Sequence, residues 1–127
     1  MYAVSMETDG NNLLFQELME SGSLVDYLAK IKSMNNRTDF EETSFKFLLT
    51  LCVQVARRMA HLERLRIVHR DLAARNVLLD KNKVAKVADF GLALSEIDSV
   101  NDNEKLPIKW TAPEALFDKI FSSASDV

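Results

Sequence analysis

The stretch His69-Arg70-Asp71-Leu72-Ala73-Ala74-Arg75-Asn76 decides how the rest of the chain is read. It sets charged and amide side chains on either side of a short apolar block, and it lies between a helical pattern and a hairpin pattern. Upstream, Leu48, Leu51, Cys52, Val55, Met59 and Leu62 recur at three- and four-residue steps. That period predicts a helix from about Thr43 to Leu65. Phe45, Phe47, Leu49 and Val53 widen the apolar stripe, so the helix is expected to pack on more than one side, with Cys52 a buried hydrophobe rather than a nucleophile. His61 on the same helix reads as solvated. Downstream, Ile67-Val68 is a brief extended piece, and Val77–Leu79 and Val84–Ala88 flank the turn residues Asp80-Lys81-Asn82-Lys83, a hairpin pattern. Asp89-Phe90-Gly91 then leaves the end of the second strand.

Further out, Tyr2–Ser5 and Leu13–Leu18 read as two short strands joined through Asp9-Gly10-Asn11-Asn12. Ser21-Gly22-Ser23 breaks the second strand, and Ser23 with Asp26 three residues on caps a helix running to about Lys32. Ser33–Asp39 is a polar loop. From Gly91 to Leu106 the sequence is polar and aperiodic, and a loop of that length inside a compact domain usually serves function. Pro113–Phe117 begins a short helix. At 127 residues the chain holds one domain at most. With 47% apolar and 28% charged residues it has the composition of a soluble globular protein. A net charge of −3 provides no basic field for nucleic acid, and one cysteine excludes a disulfide framework and a four-cysteine zinc site. The longest apolar stretch, Phe47 to Ala56, is interrupted by Thr50 and Gln54, so no membrane span is expected. No secretory signal is visible, and the expected location is cytoplasmic.

The octapeptide, Asp89-Phe90-Gly91 and Pro107-Ile108-Lys109-Trp110-Thr111-Ala112-Pro113-Glu114, in that order, resemble the protein kinase family, and within it the tyrosine kinases. Alone, an Asp at a strand end is an ordinary turn residue. Asp71, Asn76 and Asp89 at this spacing reverse that weighting. The resemblance implies an α+β kinase-like fold, ATP and Mg²⁺ as cofactors, and a protein substrate with a tyrosine acceptor. Phosphoryl transfer needs the triphosphate charge neutralised and a hydroxyl held in line. Asn76 and Asp89 offer hard oxygen ligands for Mg²⁺, and Asp71 can accept the hydroxyl proton. Phe90 is expected to pack inward with His69, itself a core histidine rather than an acid–base group. Gly91 is expected to allow a sharp turn after Asp89.

By the same resemblance the nucleotide's adenine end falls to the segment after the first hairpin. Gln16 takes the gatekeeper position, the backbone of Glu17 and Met19 faces the adenine edge, and Ser23 comes near the ribose. Gly22 permits close approach, and Leu78 floors the ring. The Leu72-Ala73-Ala74-Arg75 insert is similar to tyrosine kinases, with Ala73 where serine/threonine kinases carry Lys and with Arg75 placed to assist the phosphate. The apolar Pro107-Ile108-Lys109-Trp110 shelf supports the same choice, and weaker features resemble the non-receptor branch.

Some residues depart from the family pattern. Gln16 is larger and more polar than a tyrosine-kinase gatekeeper, and Leu94 replaces a basic residue. Tyr2 and Tyr27 are the only tyrosines, so the loop from Gly91 to Ala112 has none to be phosphorylated. Glu96, Asp98, Asp102 and Glu104 read first as a solvated acidic loop, and one of them is a candidate to pair with Arg70 and order that loop instead. No Gly-rich phosphate loop and no Val-Ala-Ile-Lys strand is present. The chain is therefore expected to be part of a longer catalytic domain, hinge through activation segment, and to be poorly folded and silent alone. Asp126 would brace the catalytic-loop backbone. An inactive kinase-like scaffold binding protein partners, and a dual-specificity or serine/threonine kinase, stay open as other readings.

Overall fold

Ser23 fixes where helical structure starts. Its Oγ accepts the Asp26 N–H at 3.2 Å and donates to Asp26 Oδ2 at 2.6 Å, the side-chain cap expected from the Ser23–Asp26 spacing. The computed structural model describes residues 3–6, 12–34, 40–95 and 105–126. Within them, β1 (Ala3–Met6) pairs antiparallel with β2 (Asn12–Phe15), Ala3 facing Phe15 and Met6 facing Asn12. The second strand therefore ends before Leu18, and the turn at Asp9 to Asn11 lies outside the described residues. Helix α1 is Leu24–Met34, two residues longer than the sequence pattern suggests, and α2 is Phe40–Arg64, starting three residues earlier. Helix α2 ends where Arg66 enters the left-handed region at φ 55°, its N–H returning to Glu63 O at 2.9 Å.

Beyond α2 come β3 (Ile67–Val68), β4 (Val77–Leu79), β5 (Ala85–Val87), β6 (Leu94–Ser95) and the short α3 (Pro113–Phe117). The hairpin β4–β5 has Val77 opposite Val87 and Leu79 opposite Ala85. Asp80 closes it: Oδ1 accepts the N–H groups of Asn82 at 2.8 Å and Val84 at 2.9 Å, and Lys83 turns the chain at φ 63°. Strand β6 pairs antiparallel with β3, Val68 opposite Leu94, inside the stretch that reads as polar loop. The architecture is α+β, as expected.

Alternation along β4 buries Val77 and Leu79 and leaves Leu78 half-buried on the other face. Leu51 of α2 joins Val77, Leu79 and Ala85 in the buried core, with Leu24, Tyr27, Phe47 and Val55 packed against it. Gln54 Oε1 accepts the Ala85 N–H at 2.6 Å, so α2 also satisfies the start of β5. The broad stripe on α2 is not covered all round. Leu51 and Leu62 are buried, but Phe45, Leu48, Leu49 and Val53 are exposed, and Cys52 is exposed rather than buried as expected. The reason is geometric: α1 and the β4–β5 hairpin cover one face of α2, while Leu48, Cys52 and Met59 line one wall of an open apolar groove of about 780 Å³. His61 is exposed, in keeping with the expectation. No helix among the described residues is long and apolar enough to cross a membrane.

Candidate active site

The segment from His69 to Asn76 is buried to a degree its polarity would not suggest. His69, Arg70, Asp71 and Asn76 are all at most 9% exposed. Buried polar groups need partners, and those partners define the geometry. The Asn76 side chain donates both amide hydrogens to Asp71, one to its carbonyl oxygen at 2.8 Å and one to Oδ2 at 2.7 Å. Two acceptors fix the orientation of the Asn76 amide, so its carbonyl oxygen is turned away from Asp71. Arg75 Nη2 forms an ion pair with the other carboxylate oxygen, Oδ1. Asp71 is thus gripped from two sides. The 3₁₀ turn Ala74–Asn76 makes this possible by bringing residues four and five positions on from Asp71 back beside it. The Arg75 guanidinium also lies over the Trp110 ring, 5.7 Å from its centre.

His69 holds the same segment from behind. Asp71 N–H points at His69 Nδ1, 3.3 Å away, so Nδ1 accepts and Nε2 carries the hydrogen donated to Ala88 O at 3.1 Å. The ring contacts Phe90, centroids 4.9 Å apart, so the expected pairing forms although Phe90 stays 47% exposed. Arg70 sits at φ 64°, donates from Nε to Leu92 O and lies 5.0 Å over the Phe121 ring. The acidic residues proposed to pair with Arg70, Glu96 to Glu104, lie outside the described residues. Asp126 accepts the backbone N–H groups of His69 at 2.5 Å and Arg70 at 2.8 Å, the bracing role that the resemblance implies for it.

Asp89 reaches this region through the hairpin. Ala88 N–H donates to Asn76 O at 2.8 Å, extending the β4–β5 ladder by one step, so Asp89 leaves the sheet at the end where Asn76 enters it. The sharp turn is at Asp89 itself, φ 64°, and not at Gly91, whose φ is not left-handed. Gly91 serves through its missing side chain: a Cβ there would stand 3.2 Å from Asp89 Oδ1, where the Gly91 N–H donates at 3.3 Å. Asp89 is exposed, and among the described residues its carboxylate accepts that one long hydrogen bond.

Asn76 and Asp89 bring to this region the hard oxygen donors that a magnesium ion takes. The Asn76 side-chain oxygen faces away from Asp71, and among the described residues the exposed Asp89 carboxylate accepts one long hydrogen bond. Mg²⁺ is typically held by one or two protein oxygens together with substrate phosphates and water. The pair fits that donor set.

The linker after β2 runs along the edge of β4 that does not pair with β5. Ser21 N–H donates to Leu79 O at 3.1 Å, Leu79 N–H to Gly22 O at 2.9 Å, and Ser23 bridges to Leu78. Met19 O accepts the Gly22 N–H at 3.1 Å, closing a tight turn. Gly22 and Leu78 are therefore neighbours. Gln16 is exposed, and Glu17 forms an ion pair with Lys86, the residue opposite Leu78 in the hairpin. Ser23 spends its hydroxyl on the helix cap, so its approach to a ribose would compete with Asp26. The Lys86–Glu17 and Trp110–Arg75 contacts are not evident in the sequence. Only the pairing of Lys86 with Leu78 across a legible hairpin points toward the first.

Gly22 has φ 71°, and a Cβ there would meet nothing within 4 Å. Its conformation alone therefore requires glycine. Gly22→Ala is expected to cost about 1–2 kcal/mol, the left-handed penalty for a residue with a Cβ. Urea unfolding of the full-length protein measures it, and an unchanged midpoint would refute the left-handed turn.

Residues 1–127 match the family model described as protein tyrosine and serine/threonine kinase.

Proposed function

The chain belongs to the protein tyrosine and serine/threonine kinase family, and on that premise we propose that it is the hinge-to-activation-segment part of a protein tyrosine kinase. The observation that carries this reading is the Asp71 carboxylate, held between the Asn76 amide and the Arg75 guanidinium. An oxygen pinned in that way accepts a proton from an incoming hydroxyl without first having to be oriented. The acceptor tyrosine oxygen forms the bond to the γ-phosphorus of ATP, and the bond from that phosphorus to the β–γ bridging oxygen breaks, releasing ADP. The hydroxyl proton passes to Asp71. Asn76 Oδ1 and the Asp89 carboxylate would hold Mg²⁺, which when bound neutralises phosphate charge. The linker from Gln16 and Glu17 through Met19, Gly22 and Ser23 binds the nucleotide, with Leu78 beneath the adenine.

Tyrosine rather than serine or threonine is supported by Ala73, which supplies no cation two residues after Asp71, and by Arg75 taking that charge from a different direction. It is also supported by the exposed Ile108 beside the loop, an apolar surface for an aromatic acceptor. The test is incubation of the full-length protein with matched peptides that differ only in carrying Tyr, Ser or Thr. Transfer to the tyrosine peptide alone is expected, and transfer to Ser or Thr at a comparable rate would overturn the tyrosine assignment. No transfer to any of the three would overturn the kinase reading in favour of a scaffold.

A further inference from the structure

We propose that Trp110 is a positioning residue for the proton-accepting carboxylate and acts through Arg75; this rests on Asp71 being that acceptor. Asp71 is buried but the Arg75 side chain is 43% exposed, and on that exposed side ordering entropy and screening offset part of the attraction that holds the long side chain. Asp71 Oδ1 pairs with Arg75, whereas Oδ2 accepts from the buried Asn76 amide. One side of the grip is therefore rigid, and the other depends on whatever immobilises Arg75.

Trp110 meets that need. Its ring lies under the guanidinium at 5.7 Å, a cation–π distance, and a planar guanidinium on an aromatic face keeps its N–H edge free for a carboxylate. The ring is placed in turn by a closed 3₁₀ turn, Ile108–Trp110. Within it Trp110 N–H donates to Pro107 O at 2.8 Å and Thr111 Oγ1 donates to the same oxygen at 3.1 Å. The turn Ile108–Trp110 thus touches the acceptor carboxylate through two side chains, Trp110 then Arg75. Displacing that turn would release Arg75 before it disturbed Asn76.

A double-mutant cycle in the full-length protein tests this, with Trp110→Ala, Trp110→Phe, Arg75→Ala and the Trp110→Ala/Arg75→Ala pair. Trp110→Ala is expected to lower kcat about two- to fivefold, the equivalent of one exposed cation–π contact, with KM for ATP and for peptide unchanged. Trp110→Phe keeps a ring and is expected to retain most of kcat. In the Arg75→Ala background, Trp110→Ala is expected to change kcat no further. Equal losses in both backgrounds, or a loss confined to peptide KM, would overturn the proposal and make Trp110 a substrate shelf. The underlying reading fails separately: an Asp71→Asn variant with wild-type kcat would refute Asp71 as the acceptor, whatever the cycle gives.

Discussion

Replacing Asp71 by asparagine is expected to lower kcat about 10²–10⁴-fold, the usual contribution of a positioned general base, while ATP affinity changes less than about threefold. Two defects combine. Asparagine does not accept the hydroxyl proton. It also has one carbonyl oxygen where Asp71 has two carboxylate oxygens, and Asp71 uses both, one for Asn76 Nδ2 and one for Arg75. In the variant one of those donors faces the amide NH₂. If that donor is Asn76, its amide is freed to turn, and the oxygen assigned to the metal turns with it. Single-turnover kinetics with a tyrosine peptide, alongside nucleotide binding by calorimetry, separate the two effects. A kcat within about fivefold of wild type would remove Asp71 from the mechanism.

What could be read in advance follows the range of each interaction along the chain. Hairpin β4–β5 and the Ser23–Asp26 cap depend on residues within a few positions of each other, and alternation, turn chemistry and cap spacing disclose them. Strand β6 is two residues long, too short for a period-2 signal, and its partner β3 lies 27 positions upstream, so the segment reads as loop. The stripe on α2 shows which residues are apolar but not what covers them, hence the exposed Cys52 and Leu48. In the site itself, Asp71 and Asn76 are close in sequence and meet as the resemblance implies. The Lys86–Glu17 pair spans 69 positions, and the stacking of Trp110 on Arg75 depends on how the later segment folds back. Neither leaves a local pattern. Gly91 shows a further limit: glycine after Asp89 suggests a turn at the glycine, whereas the turn is one of Asp89's own dihedrals and Gly91 is small to spare the carboxylate.

Asp126→Ala is expected to destabilise the full-length protein by roughly 2–6 kcal/mol, taking about 1–3 kcal/mol for each buried donor left without a partner. The two donors are the N–H groups of His69 and Arg70, both in residues at most 5% exposed. Asp126 is only 7% exposed itself and is carried on the 3₁₀ turn Ser123–Asp126. That turn is closed by Ser125: Oγ donates to Ser122 O at 2.8 Å and accepts the Ser122 N–H at 3.0 Å. A loss of this size is a large share of the 5–15 kcal/mol typical of a folded domain. Activity should fall as well, and for a separable reason. Arg70 is held at φ 64°, a conformation that costs a residue with a Cβ about 1–2 kcal/mol, and Asp126 receives the Arg70 N–H. Without that anchor Arg70 can relax, and the next residue along the chain is Asp71. Asp126→Asn divides the effects, because its one carbonyl oxygen can keep one of the two N–H groups. It should retain the fold with a smaller loss of stability and still show a reduced kcat. Thermal unfolding and kcat, measured on both variants, check this. An alanine variant with wild-type unfolding temperature would show that the two N–H groups find other partners, and an alanine variant with wild-type kcat would show that the Arg70 backbone does not set the position of Asp71.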